Sequence, residues 1–137
     1  MKNILVLCTG NSCRSQILHG FLNQILKDKV NVYSAGIETH GLNPNAVKTM
    51  SEIGIDIGSH TSNHVLEYEN IDFDFIITVC DHAHENCPYI PGNAVRIHYN
   101  FPDPAKATGT KDEIDQEFGR VRDLIKNFAD NFSKEYF

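Results

Sequence analysis

The chain has 137 residues, 41% of them hydrophobic, and a formal net charge of −6. That length supports one core and leaves little for a second, so residues 1–137 read as a single domain. The acidic balance argues against nucleic acid or an anionic membrane as the partner, so any affinity for anions must come from a local site.

The first apolar run, Asn3–Leu7, ends at Cys8, too short for a secretory leader or a membrane span, and no later run is long enough either, which points to the cytoplasm. In that compartment four cysteines read as catalytic, redox or metal-binding thiols before structural disulfides.

Asn3–Leu7 reads as a buried strand, and a loop, Cys8-Thr9-Gly10-Asn11-Ser12-Cys13-Arg14-Ser15, leads from it into a helix over 14–27. Gly10 and Asn11 tolerate φ > 0, which suits a loop that turns its N–H groups inward around one anion. No Gly-Lys-Ser/Thr follows, so this is not a nucleotide loop of the Walker kind. A Cys-x5-Arg spacing alone would occur by chance roughly once in five such chains. Its place between a buried strand and a helix raises its weight, because ligands of open α/β sheets bind beyond the carboxyl ends of strands. A thiol there gains as thiolate from the helix N-terminus. Lowering its pKa from ~8.5 to about 6 takes roughly 3.4 kcal/mol, of which one dipole supplies about 0.3–2, so Arg14, Ser15 and the loop amides must add the rest.

The helix carries an apolar stripe of Ile17, Leu18, Phe21, Leu22, Ile25 and Leu26. Further strands are predicted at Val30–Ala35, Phe73–Val79 and Ala94–Tyr99, all buried in character. A second helix starts at Pro44 after Asn43 and ends at Gly54, and a third runs Asp112–Tyr136 with Ile114, Phe118, Val121, Ile125, Phe128 and Phe132 inward. Alternation of this kind predicts an α/β fold, a small flavodoxin-like three-layer sandwich whose four-stranded parallel sheet, order 2-1-3-4, has helices on both faces. In that order the strands ending at Cys8 and Cys80 are neighbours.

Cys80 and Cys87 flank Asp81-His82-Ala83-His84-Glu85-Asn86, with Pro88 closing the run. As a helix this segment would hold the two cysteines about 10.5 Å apart, beyond the roughly 7 Å Cα limit of a disulfide. It therefore reads as either a reduced helix or an oxidised loop. Cys80, His82, His84 and Cys87 also offer four zinc donors, in a spacing that matches no common finger, and the histidines read more simply as solvated. Cys13 is either a second nucleophile or a small apolar filler.

The Cys8–Ser15 loop, Cys80-x6-Cys87-Pro88 and the Phe101-Pro102-Asp103-Pro104 turn together resemble the thioredoxin-coupled arsenate reductases. So do Tyr33–Gly41, Ile55–Ser62 and Arg120–Asp123. The resemblance spans nearly the whole chain and implies the low-molecular-weight tyrosine phosphatase fold. It further implies that Thr9, Gly10, Asn11, Ser12, Cys13, Arg14 and Ser15 bind arsenate and that Cys8 attacks arsenic. Asp103 then protonates the leaving oxygen, and Cys80 and Cys87 pass the oxidation outward to thioredoxin. No cofactor and no metal are needed. Well-known members bind potassium with two acidic side chains, which here are His19 and Asn63, so no functional potassium site is expected although Asn11 and Ser34 remain. One alternative is a low-molecular-weight tyrosine phosphatase using Cys8, Arg14 and Asp103, although Ala105-Lys106-Ala107-Thr108 offers no aromatic ring to hold a tyrosyl group. A second is a non-catalytic redox or zinc sensor.

Overall fold

The computed structural model describes residues 1–87 and 90–137; Pro88, expected to close the run after Cys87, lies outside the described residues. Strand β1 (Lys2–Cys8) leads to α1 (Arg14–Ile25), β2 (Val30–Gly36) and α2 (Pro44–Ser51). Then follow a 3₁₀ turn (Val65–Tyr68), β3 (Phe75–Thr78), α3 (Asp81–Asn86), β4 (Val95–His98), a second 3₁₀ turn (Pro104–Lys106) and α4 (Lys111–Tyr136).

The strands form one four-stranded sheet in the order β2-β1-β3-β4, every pair parallel, as the alternation of elements predicted. β1 is central, and Ile4, Leu5, Val6 and Leu7 have no exposed surface, which is why that stretch reads as an unbroken apolar run. Its register pairs Cys8 with Gly36 and Leu7 with Thr78, so β1 and β3 end side by side at one rim.

Parallel partners point the same way, so the register also sorts the two faces. Ile4 pairs with Phe75, whose ring packs on Phe132 of α4, and α1 and α2 pack against α4 on that side. Leu5 pairs with Tyr33, which packs on Tyr68 of the first 3₁₀ turn, and α3 covers the rest of that second face. The outer layers are unequal. One holds three helices, and the other has one helix of six residues and a 3₁₀ turn.

α4 starts with a capping box in which Glu113 N–H donates to Thr110 Oγ1 and Thr110 N–H to Glu113 Oε1. It buries Phe118, Val121, Ile125 and Phe132, each contributing about 1.5–3 kcal/mol by leaving water. Arg122 belongs to this packing, donating to Thr49 O at 2.9 Å and so tying α4 to α2.

Four elements depart from expectation; β3 is Phe75–Thr78 rather than Phe73–Val79. α2 stops at Ser51 rather than Gly54, because Gly54, at φ 80°, turns the chain so that Ile55 N–H reaches back to Met50 O. α1 stops at Ile25, two residues early, and Asp28 follows at φ 65°. β4 is mostly exposed, unlike the buried strand expected, since an edge strand has only one neighbour and this one carries Arg96 and His98 on its thinly covered face.

Candidate active site

At the rim where β1 and β3 end, a cleft of about 510 Å³ opens. The loop after β1 supplies Cys8, Thr9, Gly10, Ser12, Cys13 and Arg14; the start of α3 supplies Cys80, Asp81 and His82; and Asn100 and Asp103 close it from beyond β4. The loop and the second cysteine thus share one cavity, although 71 residues separate Thr9 from Cys80.

Cys8 is 3% exposed, and two groups converge on its sulfur. Asn11 N–H donates to it at 3.2 Å, and Ser15 Oγ lies 3.0 Å away. Ser15 Oγ already receives a hydrogen from Asn11 Nδ2 at 2.8 Å, so its own proton can point at the sulfur. Asn11 makes this possible by standing at φ 50°, a left-handed conformation that Asn tolerates. It is fully buried, with Oδ1 receiving Asn63 N–H and its carbonyl receiving Gln16 Nε2. Ser15 and Asn11 do not line the cleft; they support its floor.

Gly10 is different. It does not take the positive φ expected of it; a Cβ there would run into the ring of His40, a cleft residue whose backbone N–H donates to Gly10 O. The glycine is needed for close approach rather than for its dihedral freedom.

Arg14 Nη1 donates to Phe101 O at 3.0 Å, and its Nη2 stands 3.6 Å from Asp103 Oδ2. Asp103 Oδ1 also receives Ala105 N–H, so this residue caps the short 3₁₀ turn while facing the cleft. Cys13 lines the cleft too but is 4% exposed. Burial, followed by the nearby Asp103 carboxylate, pushes its thiol up to about 12, so it stays protonated at neutral pH and is a poor nucleophile.

The segment between the two later cysteines is helical, the form expected of the reduced state: α3 has Cys80 at its N-cap and Cys87 at its C-cap. Thr9 Oγ1 lies 3.3 Å from Cys80 Sγ. Cys87 faces elsewhere, into a cavity of about 440 Å³ between α3 and β4. All four cysteines are reduced. His82 lines the catalytic-side cleft while His84 lines the other cavity, so the four zinc donors diverge; among the described residues no three Cys, His, Asp or Glu side chains group as a metal site.

The profile of the low molecular weight phosphotyrosine protein phosphatases matches residues 3–136. An arsenate reductase of Shouchella clausii (strain KSM-K16) is 52% identical over 135 residues, covering 94% of this chain and 96% of its own. That of Bacillus subtilis (strain 168) is 49% identical over 133 residues, covering 97% and 96%. The chain belongs to the low molecular weight phosphotyrosine protein phosphatase family, among its arsenate reductases. A solved arsenate reductase in the phosphate binding state superposes with a TM-score of 0.82 at 27% identity over the whole of both chains. Another in the oxidized state gives 0.84 at 27% identity over 98% of each. The tyrosine phosphatase Wzb of Escherichia coli K30, at 21% identity and TM-score 0.82, shares the fold.

Behind the loop stand His19 and Asn63, the two positions at which the resemblance implied acidic side chains in potassium-binding members. His19 Nδ1 is 2.8 Å from Ser34 Oγ, and its ring stacks on His60 at 4.3 Å. Asn63 gives its N–H to Asn11 Oδ1 and its Nδ2 to Glu67. The Asn11 and Ser34 oxygens are therefore engaged by an amide and an imidazole, and this donor set does not fit a potassium ion, which favours charged or free oxygen ligands. Burial, with His60 next, lowers His19 to about 3, and burial lowers His60 as well, so both rings are neutral. His60 Nδ1 lies 3.0 Å from Gln16 Oε1, linking the pair to the carbonyl of Asn11.

The sequence did not single out His40, Asn100 or Lys106 as cleft residues, nor His98, which bridges Asp81 and Thr78 at 2.7 Å each. The available signals were His40 within the Tyr33–Gly41 stretch and Lys106 just after the Asp103-Pro104 turn.

Proposed function

We propose that this chain reduces arsenate to arsenite through a Cys8, Cys80, Cys87 relay, with thioredoxin as the external reductant and residues 1–137 as one catalytic unit. The observation that carries this reading is the shared cleft: two thiols from distant parts of the chain, an arginine and a carboxylic acid surround one polar cavity.

Arg14 and the loop hold the oxyanion, and the Cys8 thiolate attacks arsenic. An oxygen leaves as water with a proton from Asp103. The Cys80 thiolate then attacks the Cys8 sulfur; a Cys8–Cys80 disulfide forms, the sulfur–arsenic pair passes to arsenic, and arsenite departs. Two electrons have moved from two thiols to arsenic. Cys87 next attacks Cys80, which restores Cys8 and leaves Cys80–Cys87 for the external dithiol. This final bond requires α3 to open, since its six helical residues hold the two ends about 10.5 Å apart along the axis. Thioredoxin supplies dithiols in the cytoplasm, where this chemistry belongs.

A phosphotyrosine hydrolase would need an apolar wall for the ring, and among the described residues no Phe, Tyr or Trp lines the cleft. A zinc sensor would need converging donors. The deciding assay follows arsenate-dependent NADPH oxidation with thioredoxin and thioredoxin reductase. Cys8→Ser, Cys80→Ser and Cys87→Ser should each abolish turnover. If Cys80→Ser and Cys87→Ser turn over like the unmodified protein, the relay is wrong; phosphoester cleavage without arsenate reduction would establish the phosphatase reading instead.

A further inference from the structure

We propose that Arg96 is a positioning residue for the third thiol, its guanidinium holding the Cys87 side chain and favouring the thiolate that attacks the Cys8–Cys80 disulfide. The inference rests on the relay reading for its purpose, though the contact does not depend on it.

Cys87 sits where a thiolate is hard to keep. It follows the last turn of α3, where the carbonyl end of the helix disfavours negative charge. It is also half-buried, and that burial raises its thiol above the ordinary value. The opposing influence is Arg96, whose guanidinium hydrogen-bonds the Cys87 side chain and adds its positive charge. Both residues line the cavity between α3 and β4.

Arg96 is held in place by the sheet. It pairs with Ile76 in the β3–β4 register, which aims it at the α3 side, and its Nη2 donates to Ile90 O at 2.9 Å. The other titratable groups of this cavity are committed elsewhere. His84, on α3, stacks on His98 of β4 with centroids 4.2 Å apart. His98 has Nε2 at 2.7 Å from Asp81 Oδ1 and Nδ1 at 2.7 Å from Thr78 Oγ1. Among the described residues of this cavity, Arg96 is the permanent cation at the sulfur.

The step it serves is disulfide exchange and conserves electrons. The Cys87 thiolate attacks Cys80, the Cys80–Cys87 bond forms as Cys8–Cys80 breaks, and Cys8 leaves as thiolate. Its rate depends on the fraction of Cys87 that is ionised.

The test reads this thiol directly, without arsenate or reductant. The reduced full-length chain is alkylated with iodoacetamide from pH 7 to 11.5, and the rate at Cys87 is followed by peptide mass spectrometry. Arg96→Gln should move the midpoint of the Cys87 profile up by about one pH unit. At neutral pH the rate should fall about threefold, since the higher pKa costs tenfold in thiolate and returns part through nucleophilicity. Arg96→Lys should keep the midpoint near that of the unmodified protein, and Arg96→Met, which keeps the stem, should behave like Arg96→Gln if that variant folds poorly. An unchanged midpoint in Arg96→Gln and Arg96→Met overturns the proposal. So does a shift in Arg96→Lys as large as in Arg96→Gln, which would mean packing rather than charge. If the shifts appear but Cys87→Ser still turns over arsenate normally, the Arg96 contact stands and the relay reading fails.

Discussion

Thr9 Oγ1 lies 3.3 Å from Cys80 Sγ, joining the loop of the first thiol to the helix of the second. A hydroxyl at that distance orients the sulfur toward the cleft. Thr9→Val keeps the shape and removes the oxygen, and a lost hydrogen bond of about 1 kcal/mol corresponds to a roughly fivefold slower step. Rapid-quench mass spectrometry of a single turnover should show slower Cys8–Cys80 disulfide formation with the alkylation rate of Cys8 little changed.

Ser15 and Asn11 place hydrogens on the Cys8 sulfur, so their loss should appear in its reactivity. The proposed mechanism uses Cys8 as a thiolate, and Ser15→Ala would then remove one hydrogen bond to a charged atom, about 1.5–3 kcal/mol, and should slow Cys8 alkylation at pH 7 by roughly fourfold or more after the gain in nucleophilicity. A rate equal to that of the unmodified protein would show that the Ser15 contact does not tune the reactivity of Cys8.

His19 makes the fold acid-sensitive. Its ordinary value is 6.5 and the folded chain holds it near 3, so between those values the unfolded chain binds the extra proton. Stability from this group is therefore complete above about pH 6.5 and is lost as pH falls, at about 1.4 kcal/mol per pH unit. Urea midpoints measured from pH 7 to 4 should fall steadily, and His19→Gln should flatten that dependence, leaving the smaller contribution of His60.

α3 should exist only in the reduced protein. Amide exchange over 81–86 is expected to be slow in the thiol form and much faster once Cys80 and Cys87 are joined, because a bond between its two ends cannot span an intact helix of six residues. Equal protection in both forms would contradict unwinding.

Sequence reading reached furthest where the physics is local. Asn3–Leu7 was recognisable because a central parallel strand is buried on both faces and needs apolar side chains throughout, and the α4 stripe was recognisable because Phe118, Val121, Ile125 and Phe132 repeat at helical spacing. The strand–loop–helix from Cys8 to Ser15 was likewise readable, since its residues act on each other within one turn of chain. β4 misled, because its edge position depends on which strands pair and not on its own residues.

The sequence by itself thus determined the element order, the strand–loop–helix around Cys8 and the spacing of Cys80 and Cys87, because these follow from backbone preference and short-range pattern. Only the tertiary structure decided that His40 demands a glycine at position 10, that Phe101 O and Asp103 hold Arg14, and that a stacked His19–His60 pair backs the loop. It also decided that Cys87 opens away from the cleft toward Arg96. These contacts join residues distant in the chain, and they arise from sheet register and side-chain packing, which no local pattern encodes.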